Sequence, residues 1–317
     1  MPTPTEHPHD RTAAFWDQRF QDRASAAQRD AYYALASPLY QKLGVSPFLS
    51  GDGVDWVEWV RRTVCPQQPL ERVLVLGCGL GDGLIDFHQR GLATCLHGVD
   101  LSETAIERAR EAVLAAGLQK ETSFEVGDFH SCPIERGAFD AAFMVMSLHH
   151  ALDLDGVLER VREALKPGGL CVVNEYVGPR RWQYALGQLL LIKAILTLLP
   201  RSKRRRPDGP LKGRTGRPTI AWMMETDPSE AAHSDAIPDR FAHYFELQRR
   251  IDYGGGIAVP VLDEIVANFD EASRIDMALF KAILRIDRLA WRLRLVPSAN
   301  AILLGRCPAA RSEASRA

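Results

Sequence analysis

Long apolar runs, an excess of charge of either sign and paired cysteines are all missing from this chain of 317 residues. No apolar run reaches the ~18–20 residues that a membrane-spanning helix requires. Lys and Arg number 39 against 40 Asp and Glu, a net charge of −1, so no global field draws the chain to nucleic acid. The cysteines, Cys65, Cys78, Cys95, Cys132, Cys171 and Cys307, form no C-x-x-C pair and no zinc spacing. They read as free thiols of a reducing compartment. Residues 1–10 are polar and rich in Pro and His, expected to be disordered, and lack the apolar stretch of a signal peptide. A cytoplasmic location follows as the expectation. There are no internal repeats. What remains is an ordinary globular balance, 46% apolar and 25% charged, in a length that suits one enlarged domain or two.

The most telling stretch is Val73-Leu74-Val75-Leu76 running into Gly77-Cys78-Gly79-Leu80-Gly81. Four apolar residues followed by G-x-G-x-G predict a buried strand that ends in a turn open to glycine alone. Glycine accepts positive φ and has no Cβ to hold a ligand away from the backbone. At the carboxyl end of the first strand of a parallel sheet, such a turn brings N–H groups to a nucleotide-like ligand. A dinucleotide fingerprint would be G-x-G-x-x-G, so an NAD(P)-dependent oxidoreductase is disfavoured. A second strand over 93–100 ends in Asp100, 19 residues past Gly81. A carboxylate there can accept from both hydroxyls of a ribose. Ser102 stands where an N-cap belongs, ahead of a helix over 103–116. A third unit ends in Asp128 and Phe129. A fourth strand, 139–146, leads into Ser147-Leu148-His149-His150. The turn Lys166-Pro167-Gly168-Gly169 then announces a fifth, 170–176, which carries Glu175 and Tyr176.

These five landmarks in order resemble class I S-adenosylmethionine-dependent methyltransferases, over residues of about 71–177. The resemblance implies an α/β, Rossmann-like fold: seven strands, mostly parallel, the last antiparallel, with helices on both faces. It implies S-adenosyl-L-methionine as cofactor and S-adenosyl-L-homocysteine as product. Gly77, Gly79, Gly81, Asp100, Leu101, Asp128, Phe129 and Met144 would bind the cofactor, Asp128 by accepting from the adenine amino group. One position departs. The family usually has an acid two residues before the first glycine, and here stands Val75. That leaves recognition of the cofactor's amino group open and lends some support to a non-catalytic S-adenosylmethionine-binding protein.

Around this core, 1–70 reads as an N-terminal helical extension or lid, with helices near 15–20, 26–43 and 54–64. Residues 178–242 read as an inserted substrate lid with a basic loop, 243–307 as the rest of the sheet with inserted helices at 259–269 and 273–294, and 308–317 as a tail. Trp16 opens a Trp-Asp-x-x-Phe pattern similar to the lid helix of such methyltransferases. Methyl transfer asks the protein to position an acceptor and exclude water, and asks for a base where the acceptor is a hydroxyl or an ammonium. His149 is the leading base, with Glu175 and Tyr176 as further catalytic candidates. Trp16, His150, His233 and Tyr253 are candidate acceptor contacts, His150 also reading as a packing or capping residue. No metal is expected: Glu175 with His149 or His150 is the only set to weigh, and it is not convincing.

The segment 182–206 joins an apolar helix, expected to be buried nearly all round, to a cluster of arginines and lysine. It would also suit peripheral contact with a membrane. Residues 201–218 hold eight basic groups and one acid and read as a mobile loop. The expected partners are a small-molecule or amphiphilic acceptor and a second copy of the chain, with no nucleic acid. A wider resemblance, through Asn174-Glu175-Tyr176-Val177-Gly178-Pro179, Pro228-Ser229-Glu230 and Tyr253-Gly254-Gly255, is to a bacterial subgroup associated with saccharide and secondary-metabolite pathways. The expected reaction is O-methylation, with C- or N-methylation as the alternative.

Overall fold

The computed structural model describes residues 8–22, 32–65 and 67–308; the expectations for 1–7 and for the tail beyond 308 lie outside these residues. Seven strands form one sheet: β1 (Leu70–Leu76), β2 (Ala93–Asp100), β3 (Thr122–Val126), β4 (Phe139–Val145), β5 (Leu165–Tyr176), β6 (Glu246–Gly254) and β7 (Asn300–Arg306). Their order across the sheet is β3-β2-β1-β4-β5-β7-β6. The first five pair in parallel, and β7 runs antiparallel to both neighbours. This is the expected mostly parallel, Rossmann-like sheet.

The central strands read as unbroken apolar runs because both faces are covered. Alternation still decides which side each residue takes. Val73, Val75, Ala141, Phe143, Val172 and Ile302 belong to one apolar layer. Their neighbours Leu74, Leu76, Ala142, Met144, Val173 and Leu303 belong to the opposite one. Helices α1 (Pro8–Asp22), α2 (Trp56–Val64), α3 (Asp82–Gln89), α4 (Glu103–Ala115), α5 (Leu154–Ala164), α6 (Leu186–Leu198), α7 (Ile237–Tyr244) and α8 (Arg274–Arg292) surround the sheet. Ser102 caps α4, its hydroxyl accepting from the Ala105 N–H at 3.0 Å, as its position promised.

Several expectations change. The helix expected over 26–43 is broken where it is described: a 3-10 turn, Ala34–Ala36, ends at Ser37, and helix resumes at Pro38. Proline has no N–H for a bond to the preceding turn, so it starts helices better than it continues them. α6 begins at Leu186 rather than 182, because Arg181 and Trp182 both take a φ of 53°. Nor is α6 buried all round: Leu186, Leu190 and Leu198 are 58–84% exposed. The helix expected over 259–269 is two short pieces, Ala258–Leu262 and Val266–Asn268.

The basic loop is pinned rather than free. Lys203 pairs with Asp276 at 2.5 Å, Arg206 with Glu264 at 3.0 Å, and the buried Lys212 donates to the Asp263 carbonyl at 2.6 Å. Burial lowers the Lys212 pKa against the pull of Asp263 and Glu264.

Candidate active site

The glycine turn sits at the carboxyl end of β1. Gly77, Gly79 and Gly81 all have positive φ, at 73°, 53° and 82°. A Cβ on Gly77 would lie 2.2 Å from Ser147 Cβ, so no other residue fits there. A Cβ on Gly79 would meet only the Phe20 ring, at 3.9 Å, so its open side faces α1. Asp100 braces the turn. One carboxylate oxygen accepts from the Gly79 N–H at 2.8 Å, the other from the Ser102 N–H at 3.0 Å. Burial raises its pKa. A carboxylate offers about four lone-pair positions, so two remain for ribose hydroxyls. Leu101 follows directly in the same turn. Asp128 accepts from the His130 N–H at 3.1 Å. Phe129 lies beside the turn, its ring 3.5 Å from where a Gly77 Cβ would stand.

α1 roofs this floor. Asp17 accepts from the Ser102 hydroxyl and from the Thr104 N–H at the start of α4, and Arg108 donates to the Phe20 carbonyl at 2.6 Å. Thr12 bonds Asp227 of the inserted segment at 3.1 Å. Between α1, the carboxyl ends of β4 and β5, and the insert lies a cleft of about 1220 Å³. Its walls include Trp16, Phe20, Tyr33, Trp182, Trp222 and Tyr253, and its polar groups include His149, His150, Asn174, Asp227 and Glu230. An apolar, aromatic cleft with a few convergent polar groups is the usual form of a small-molecule site.

The sharpest geometry is at His149. Its Nδ1 lies 2.6 Å from Glu175 Oε2, and its Nε2 lies 3.6 Å from Glu230 Oε1. Burial would lower the His149 pKa, but the carboxylates of Glu175, Glu230 and Asp227 outweigh it and hold the group at about 9. His150 stacks beside it, ring centres 4.2 Å apart, and the edge of Trp16 meets it at 5.3 Å. The His150 Nδ1 is 2.9 Å from the Ser229 hydroxyl. Burial and the neighbouring His149 charge lower its pKa.

The structure places the other candidates as follows. Glu175 is not at the cleft but beneath it, within β5 and fully buried. It accepts from the N–H groups of Ser147, Leu148 (2.5 Å) and Tyr176 (3.0 Å) as well as facing His149. It therefore acts through His149 as a positioning residue. Tyr176 is also buried, its hydroxyl donated to the Pro179 carbonyl at 2.9 Å and its ring stacked on Trp182 at 4.1 Å. Burial pushes its pKa up, so it has neither the access nor the acidity of a catalytic group. Met144 is fully buried in the apolar layer, and its neighbours Val145 and Met146 line the cleft instead. His233 stands just before a 3-10 turn, Ser234–Ala236, without a capping hydrogen bond from its side chain and away from the cleft lining. Tyr253 does line the cleft and donates its hydroxyl to Asn174 at 2.7 Å.

Sequence reasoning missed Glu230, Asp227 and Trp182. Trp182 Nε1 donates to Glu230 Oε1 at 2.9 Å and fixes it over the histidines. Two acids flanking Pro228-Ser229, with no base beside them in sequence, were the available signal.

A glycine turn braced by an acid at the end of the second strand, on this strand order, is the arrangement of the class I methyltransferase fold. The family model described as "Methyltransferase domain" matches residues 73–169, so this stretch of the chain is a methyltransferase domain. Among similar proteins is 24-methylenesterol C-methyltransferase 3 of Arabidopsis thaliana, 26% identical over 165 residues, 49% of this chain and 45% of that protein. Another is sterol 24-C-methyltransferase ERG6B of Gibberella zeae, 28% identical over 177 residues, 53% and 46% of the two chains. Methyltransferase GfsG of Streptomyces halstedii is 30% identical over 106 residues, 33% and 38%. The chain thus spans about half the length, or less, of these curated relatives.

Among solved structures, the 4+2 cyclase SpnF superposes with a TM-score of 0.55 at 16% identity, covering 98% of this chain and 99% of that one. Geranyl diphosphate C-methyltransferase from Streptomyces coelicolor A3(2) gives 0.53 at 14%, covering 96% and 99%. These likenesses establish the fold. S-adenosylmethionine is the cofactor to expect. Two of the curated relatives named are sterol C-methyltransferases, and none of the three is named for a saccharide. Among the described residues no helix is long and apolar enough to cross a membrane.

Proposed function

We propose that the chain transfers a methyl group from S-adenosylmethionine to an oxygen of a small, amphiphilic acceptor in saccharide or secondary-metabolite biosynthesis. The observation that carries this reading is the Glu175–His149 pair, which aims Nε2 into an aromatic cleft beside the glycine turn. S-adenosylmethionine supplies an electrophilic methyl group. The chain's part is to hold the acceptor in line, keep water out and take its proton. α1, latched to α4 and to Asp227, excludes water. Glu175 holds the imidazole by Nδ1, and Nε2 is the atom that meets the acceptor. With its pKa held at about 9, His149 becomes a free base only as the medium turns alkaline.

C-methylation is the second reading, favoured by the aromatic walls and by the cluster of Asp227, Glu230 and Glu175. Methyl addition to an alkene creates a carbocation, which aromatic faces and carboxylates stabilise. The sterol 24-C-methyltransferase relatives point the same way. The outer face of α6 supports an approach to an anionic lipid surface, with Leu186, Leu190 and Leu198 exposed beside the exposed Lys193, Arg201 and Arg205.

The test is calorimetric titration with S-adenosylmethionine and its demethylated product, followed by mass-spectrometric screening for methylated products. Glycosides and amphiphilic phenols form one arm, sterol and prenyl alkenes the other. A methyl ether as product supports the first reading, and a new carbon–carbon bond replaces it with the second. Binding without turnover of any acceptor leaves a cofactor-binding protein. The fold alone does not decide, since the same fold occurs in a protein titled a cyclase.

A further inference from the structure

The same cleft holds a second arrangement that methyl transfer does not require. His149, His150 and Glu230 each present one ligand atom, all within 4.8 Å of one another. The distances are 3.6 Å from His149 Nε2 to Glu230 Oε1 and 3.9 Å from His150 Nε2 to Glu230 Oε2. Ligand atoms about 2.0–2.2 Å from a tetrahedral ion lie about 3.3–3.6 Å apart, so the two histidine–Glu230 separations need at most a few tenths of an ångström of closure. Both imidazoles are held from behind. Glu175 stands 2.6 Å from Nδ1 of His149, and the Ser229 hydroxyl 2.9 Å from Nδ1 of His150. Metal-binding histidines are oriented in this way by a carboxylate or another acceptor on the far nitrogen.

A second observation concerns the charge around these ligands, part of which His149 itself offsets when protonated. Asp227 is buried and its Oδ2 has no hydrogen-bond partner, lying 3.6 Å from His150 Nδ1. Three carboxylates, Glu175, Asp227 and Glu230, thus gather round two imidazoles. Among the described residues no lysine or arginine forms an ion pair with any of them.

We propose that His149 Nε2, His150 Nε2 and Glu230 bind one divalent transition-metal ion of the zinc class, with its remaining position open to the cleft. Two imidazoles and one carboxylate with an open place are the donor set of catalytic zinc and related ions, and imidazole disfavours magnesium and calcium. An acceptor hydroxyl or a water in the open place would lose its proton more readily. An ion on Nε2 would take up the lone pair that His149 would use as a base, so with the ion bound the deprotonation would fall to the open position instead; metal binding itself does not depend on the methyl-transfer reading.

The experiment is titration of chelator-treated protein with Zn²⁺ by calorimetry and with Co²⁺ by visible absorption. S-adenosylmethionine binding is measured on the same samples. One saturable site is expected, with the intense d–d bands of four-coordinate cobalt. In His150→Gln and Glu230→Gln, affinity should fall by more than the ~10–100-fold that losing an outer-sphere partner costs, whereas Asp227→Asn should fall within that range. Melting curves of the metal-free variants separate lost ligands from lost folding. The sequence also holds His7 and His9, so the site must survive their replacement by alanine. Wild-type protein that shows only the pale spectrum of hydrated cobalt, or equal binding in His150→Gln and Glu230→Gln, overturns the proposal. If that protein still binds S-adenosylmethionine, the methyltransferase reading is untouched. Metal binding without cofactor binding would uphold the metal site and remove the methyltransferase reading.

Discussion

The glycine turn and the cleft beside it are built on different principles. The proposed cofactor side is made mostly by backbone: three glycines at positive φ, the N–H of Gly79, and one carboxylate, all within residues 77–102. The acceptor side is made by side chains drawn from far apart. His150 meets Ser229 across 79 residues, Tyr253 meets Asn174 across 79, and Thr12 meets Asp227 across 215. A backbone site tolerates almost no change at its glycines yet asks little of the surrounding sequence. A side-chain site can be redrawn residue by residue, which is what a fold serving many acceptors needs.

The comparison is broken most severely at Gly77. Gly77→Ala places a Cβ 2.2 Å from Ser147 Cβ at a φ of 73°, and is expected to abolish cofactor binding or folding. Gly83→Ala is its control, with nothing within 4 Å, and should bind normally. Calorimetry and a melting curve on both variants check this. Next comes a split between the halves. Asp100→Ala should weaken S-adenosylmethionine by at least ~10-fold, since hydrogen bonds to a charged group are worth roughly 1.5–3 kcal/mol. His149→Ala should lower turnover with cofactor affinity unchanged. If both variants shift both quantities, the division between the halves is wrong.

The pH dependence is a third test. His149 at about 9 lies above its unfolded value of 6.5. Its charge therefore stabilises the fold below pH 6.5, and that contribution is lost as pH rises through about 9. Turnover in the presence of chelator should climb over that window while the melting temperature falls, and His149→Ala should remove both slopes. The smallest effect is expected for Trp182→Phe. It frees Glu230 from one hydrogen bond, worth about 1–3 kcal/mol, and should raise the Michaelis constant for the acceptor more than it lowers kcat.

Most of the sheet is legible in the sequence, because its signals are local. An apolar run, a glycine turn and a capping serine each decide their own neighbourhood: β1 through β4 and α4 fall where they are expected, and β5 ends where expected but begins earlier, at Leu165. The expected buried helix at 182–199 does not, because composition cannot tell which neighbour covers which face: Leu190 is exposed while Ile192 is fully buried. At the site, Asp100 and the glycines are readable from spacing. Glu175 stands on the right strand but in another role, since alternation alone does not show that its oxygens are taken by Ser147, Leu148 and Tyr176. The role of Glu230 is not legible in the sequence for a related reason. Its meaning depends on Trp182 and on histidines about 80 residues away.

The place of β7 has a consequence for how the protein is made. It follows every other strand in the chain, yet it lies between β5 and β6. During synthesis, β6 can find no place in the sheet until residues 300–306 have left the ribosome, and neither can Tyr253 at its end. The glycine turn and Asp100 emerge about 200 residues earlier. A nascent chain can therefore gather the parts that hold the cofactor long before it has a complete wall for the acceptor.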